Sequence, residues 1–88
     1  TKSGVEVRTW TPVGEKDVGV FPLKCAVRAL EFFEDFYDIP FPLKKLDMIG
    51  CDSFLYGGME NWGLITYSSP MFYVTEQSPF VNRKRCAY

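Results

Sequence analysis

The chemistry this sequence can carry centres on Gly57-Gly58-Met59-Glu60-Asn61-Trp62-Gly63. Two adjacent glycines let a backbone approach a ligand closely and reach φ values that other residues avoid. Glu60 follows them in a stretch read as a loop, where functional side chains concentrate. A carboxylate there can pair with an ammonium group. Trp62 supplies a large apolar wall beside it. The competing reading is a glycine turn followed by a surface glutamate, and the residues alone leave both open.

Other chemistries are excluded by what is missing. The chain has no histidine. A Ser-His-Asp triad or a Cys-His dyad therefore has no base within the chain. Catalytic zinc usually takes His or Cys ligands, and none are grouped here, so no catalytic residue and no metal ligand is assigned. No glycine-rich phosphate loop is present. Cys25, Cys51 and Cys86 match no zinc-ribbon or redox spacing. They read as free buried thiols, with a single disulfide left open, and they select no redox compartment. Ten basic residues against eleven acidic ones give a formal charge of −1. That balance points to neither nucleic acid nor an anionic membrane surface. Arg83-Lys84-Arg85 reads as a solvated helix face.

The elements that must position the glycine segment follow from periodicity. Hydrophobic residues make up 47% and aromatics 17% of the chain, a globular rather than a disordered composition. Residues 5–11 alternate and are β-branched, so they predict a strand that ends at Pro12 and Gly14. A helix is predicted over 20–37, stopped by Ile39-Pro40 rather than by a good cap. It has two apolar sides. Val20, Leu23, Val27, Leu30 and Tyr37 share one; Phe21, Cys25, Ala29, Phe32 and Phe36 share the other. Only Lys24, Arg28, Glu31 and Asp35 form a charged stripe. Such a helix wants cover on most of its circumference, more than 88 residues readily supply.

Leu46 to Cys51 predicts a short strand, and 52–62 a loop. Leu64 to Tyr67 and Met71 to Val74 predict two further strands, 75–80 a loop, and 81–88 the start of a helix. Strand, helix, then short strands make the fold class α+β. No stretch approaches the roughly 18 apolar residues of a membrane span. Without an initiator Met, the sequence is expected to be a piece of a longer chain.

Gly57-Gly58-Met59-Glu60-Asn61 resembles the exopeptidase signature of the gluzincin zinc aminopeptidases, usually G-A-M-E-N and sometimes G-G-M-E-N. Trp62-Gly63-Leu64-Ile65-Thr66-Tyr67 is similar to the alanyl and puromycin-sensitive branch. Upstream, Val7-Arg8 with Thr11-Pro12 resembles the strand that opens the family's catalytic domain. Phe32-Phe33 through Tyr37, then Ile39-Pro40-Phe41-Pro42-Leu43, resembles its helix and following turn. Lys45-Leu46-Asp47 resembles the strand leading to the signature. The resemblance covers about residues 5–67. Two positions depart from it: Gly58 replaces the commoner Ala, and Ser68-Ser69 stand where many members have Arg-Glu.

The resemblance implies the N-terminal part of a thermolysin-like metallopeptidase catalytic domain, incomplete over 1–88. Its opening strand would fall in 1–12, its helix in 18–38, and its strands with the signature in 46–74. Members remove single residues from peptide N-termini. Glu60 matches the glutamate that binds the substrate's α-ammonium. Gly57 and Gly58 match backbone that runs beside the substrate, Met59 the border of the pocket for the first side chain, and Asn61 completes the motif. The family's zinc ligands, H-E-x-x-H and a distant Glu, match nothing here and would lie beyond residue 88. Expected partners are peptides with a free N-terminus and the remainder of the catalytic domain. The alternative expectation is a natural truncated product that binds peptides or a partner without catalysis.

Overall fold

Alternation makes Glu6–Trp10 the first strand, β1. The chain then takes a 3₁₀ turn at Lys16–Gly19 and enters helix α1, Val20–Tyr37. Pro22 is buried in the first turn of α1, where its missing N–H interrupts no intrahelical bond. At the far end Asp38 adopts a left-handed φ of 53°, and the helix stops before Pro40. Then come β2 (Lys45–Cys51), β3 (Gly58–Asn61) and β4 (Leu64–Ser68). Two helices close the chain, α2 (Ser69–Phe72) and α3 (Phe80–Ala87). The computed structural model describes all 88 residues.

The four strands form one sheet in the order β1-β2-β4-β3. β1, β2 and β4 run parallel, and β3 pairs antiparallel with β4 at the edge. α1 makes the crossover from β1 to β2, the connection that parallel neighbours require. The architecture is thus α+β, a mixed sheet with covering helices. No helix is long and apolar enough to cross a membrane.

Three elements differ from the sequence expectation. Residues 52–62 are not loop throughout, because Gly58–Asn61 is strand. Trp62-Gly63 forms a two-residue turn with Gly63 at φ 79°, which folds the signature back onto β4. Met71–Val74 is not a strand, so the predicted strand region 46–74 ends in a helical turn, Ser69–Phe72. Pro70 at its start favours that helix, which alternation did not reveal. The 3₁₀ turn at Lys16–Gly19 was not expected.

The core is thin. Nine of the 88 residues are buried, and Val5, Leu46, Met48, Phe72 and Val74 are its apolar members. Phe21, Leu23, Ala26, Val27 and Leu30 of α1 are half-buried. Cover ends there. Phe32, Phe33, Phe36 and Tyr37 remain 58%, 48%, 67% and 60% exposed, which leaves about 1 kcal/mol or more of burial unrealised at each. Their rings instead pack on one another at centroid distances of 5.0–5.9 Å. Glu31, placed in the charged stripe, is half-buried and accepts the Lys2 backbone N–H at 2.8 Å. Glu34 accepts the Ser3 hydroxyl and the Phe41 N–H, fixing the turn after α1.

Candidate functional site

Strand register decides which way the signature faces. Thr9, Met48, Ile65 and Glu60 are successive partners across β1, β2, β4 and β3, so they form one row on one face. That face carries α1. The Glu60 side chain therefore meets an apolar cleft of about 520 Å³ between the helix and the sheet. Leu30 and Phe33 of α1, Leu46 and Met48 of β2, and Ile65 of β4 line it, with Trp62 at its wall. Glu60 is exposed, and no side chain or backbone group donates to its carboxylate.

A second cavity of about 370 Å³ adjoins Glu60 on the side of α2 and α3. Met59, Tyr67, Met71 and Arg85 border it. Burial pushes the Tyr67 phenol up, and Cys86 and Glu60, which line the same cavity, push the same way. Tyr67 stacks flat on Phe72 at 4.7 Å.

The other signature residues lie along the same hairpin, where Met59 and Asn61 alternate with Glu60 across β3. All four residues of β3 are exposed, and its outer edge pairs with nothing. Such an edge offers unpaired N–H and C=O groups to an added strand. The Gly57 carbonyl accepts the Ser68 N–H at 3.0 Å and extends the hairpin. A Cβ on Gly58 would sit 3.3 Å from the Tyr67 ring. Asn61 turns back on its own strand, with Nδ2 3.5 Å from the Met59 carbonyl.

Sequence reasoning passed over the group that braces this hairpin from the opposite face. Asp47 is only 7% exposed. Arg8 donates to both its oxygens, and Lys45 Nζ donates to Oδ2 at 2.7 Å. The Arg8 guanidinium, helped by Lys45 and opposed by burial, holds the Asp47 carboxyl down at about 2. One signal was available. Asp47 stands between two buried apolar residues, Leu46 and Met48, and a charge inserted there must have partners.

The donor set does not fit a zinc site. No three His, Cys, Asp or Glu residues come together to hold a metal ion. The three cysteines are free and half-buried, and burial pushes Cys25 up and Cys86 up to about 11.

Comparison with known proteins places the chain in a family. The model of the peptidase family M1 domain matches residues 21–87. Aminopeptidase N of Haemonchus contortus is 51% identical over 67 residues, 76% of this chain and 7% of the relative. Puromycin-sensitive aminopeptidase of Caenorhabditis elegans is 45% identical over 67 residues, again 76% and 7%. Aminopeptidase M1 of Arabidopsis thaliana is 38% identical over 88 residues, 99% of this chain and 10% of the relative. The chain thus spans a tenth or less of the length of these relatives. With the family model matching most of its length, including the Glu60 hairpin, the chain belongs to the M1 aminopeptidase family.

Proposed function

We propose that this chain forms the substrate-binding wall of an M1 aminopeptidase, an enzyme that removes residues from peptide N-termini. Glu60 receives the free α-ammonium of the substrate. The outer edge of β3 pairs with the substrate backbone as an added strand, with Gly57 and Gly58 in contact and Met59 bordering the first side chain. An internal peptide bond offers no ammonium, so the contact selects for chain ends. One observation carries the reading: a carboxylate without a protein partner stands on an exposed edge strand, beside an apolar cleft.

Zinc is the family's metal, and these 88 residues do not hold it. The metal-bearing part, and completion of a thermolysin-like domain, belong to sequence outside them. The chain by itself therefore binds without cleaving.

The test is a titration of the chain, followed by amide shifts, with a short peptide and its N-acetylated form. The free peptide should perturb Gly57 to Asn61, the acetylated one should not, and Glu60→Gln should remove the difference. Equal binding of both peptides would overturn the ammonium role. Zinc-dependent hydrolysis of an aminoacyl-coumarin by the pure chain would overturn the division of labour.

A further inference from the structure

β3 is short, exposed and paired on one side only, so what holds it in place sets where Glu60 stands. The turn after it, Trp62-Gly63, is held through the Gly63 carbonyl. That oxygen accepts the Asp47 N–H at 2.9 Å and Lys45 Nζ at 3.2 Å. The first is an ordinary ladder bond between β2 and β4. The second is a side-chain clamp. Lys45 Nζ reaches the turn while also donating to Asp47 Oδ2 at 2.7 Å, and Asp47 is gripped in turn by Arg8 of β1. A continuous set of polar contacts thus runs from β1 through β2 to the turn that aims the signature strand.

We infer that Lys45 is a positioning residue: by clamping the Gly63 carbonyl it holds the β3–β4 hairpin where Glu60 can meet the substrate ammonium.

The network separates this role from plain stability. Without Lys45, Asp47 keeps both Arg8 donors, so no buried charge is abandoned. Gly63 keeps the Asp47 N–H. Lys45 itself is 43% exposed at the side chain, and pairs of that kind add little to global stability. The loss falls instead on the turn, where Trp62 is 77% exposed and has little packing to hold it. A local loosening without unfolding is the expected signature.

The part of this inference that concerns substrate rests on the ammonium reading of Glu60; the clamp itself does not. The experiment is amide hydrogen exchange on the chain as wild type, Lys45→Met and Lys45→Arg, with peptide titration alongside. Lys45→Met should speed exchange in the hairpin, Gly58 to Ser68, by about threefold to tenfold, the range of one partly exposed charged hydrogen bond. Exchange in α1 and the unfolding midpoint should stay put. Lys45→Arg, which keeps a cation near the carbonyl, should restore protection. Affinity for the free peptide should fall with Lys45→Met while preference over the acetylated form persists, since Glu60 is intact. Unchanged hairpin exchange, or an equal rise across α1 and the hairpin, overturns the inference. If wild type binds free and acetylated peptides alike, the Glu60 reading fails and the exchange data still decide the clamp.

Discussion

Arg8 grips both carboxylate oxygens of Asp47, through Nε at 2.6 Å and Nη2 at 3.0 Å, across the junction of β1 and β2. Register makes this pair: Arg8 and Asp47 are direct partners in the parallel ladder. Two planar groups meeting fork to fork give a stronger contact than a lone ammonium can. Because Asp47 is nearly buried, the pair ties the first strand to the middle of the sheet.

The pair makes stability depend on acid in a defined window. The folded carboxyl is depressed to about 2, against an ordinary value of about 3.9 in the unfolded chain. Its contribution is therefore complete above about pH 4 and fades as pH falls toward 2. Asp47→Asn should cost about 1–3 kcal/mol at pH 7. The gap between wild type and Asp47→Asn in urea unfolding should narrow from pH 4 to pH 2. A gap that stays constant across that range would contradict the ion pair.

Two glycines of the signature hairpin should respond unequally to alanine. Gly58 is in strand conformation, and its added Cβ need only ease the Tyr67 ring by a few tenths of an ångström. Alanine also limits the unfolded chain, so Gly58→Ala should shift stability by less than about 1 kcal/mol. Gly63 sits at φ 79°, and its Cβ would lie 3.0 Å from Leu43 Cδ1. Gly63→Ala should cost about 1–3 kcal/mol. Thermal unfolding of the two variants decides it, and equal losses would mean the turn is not as described.

The sequence made α1 legible as an element, because eighteen positions of helical period average out local noise and Pro40 marks the stop. The strands of the sheet were legible where alternation or an apolar run was long enough. β3 was not. Four residues beginning with glycine carry almost no propensity, and their strand state comes from pairing with β4 across the Trp62-Gly63 turn. Tyr73 and Val74 misled for the opposite reason: they have strand propensity, but Pro70 starts a helical turn and no neighbour remains to pair with. The motif drew attention to Glu60, but the face it takes follows only from the pairing of β3 with β4. Lys45 and Asp47 were visible only as part of a matching stretch, since their roles depend on Gly63 and Arg8, eighteen and thirty-nine residues away.

Tyr73, outside any strand, has a tertiary task. Its hydroxyl donates to the Trp10 carbonyl at 2.8 Å and accepts the Gly50 N–H at 3.0 Å, joining the C-terminal ends of β1 and β2. Its ring lies where a Cβ on Gly50 would be, 2.6 Å from Cε2. Tyr73→Phe keeps the ring and strands the Gly50 N–H, so it should cost about 1–3 kcal/mol in urea unfolding. Exchange of the Gly50 amide should accelerate with it. An unchanged midpoint would show that water replaces the hydroxyl without loss.

The aromatic ridge on α1 predicts a property that most folded chains of this size lack. Phe32 and Phe36 stack at 5.6 Å, and both are more than half exposed. Rings in that position bind hydrophobic dyes and promote self-association. The double variant Phe32→Lys with Phe36→Lys should lower dye fluorescence severalfold. It should shift the unfolding midpoint by no more than about 1 kcal/mol, since neither ring is in the core. A large loss of stability would mean that these rings are covered in solution, and the helix would then have to sit differently on the sheet. Retained dye binding would move the exposed apolar surface to the cleft beside Glu60.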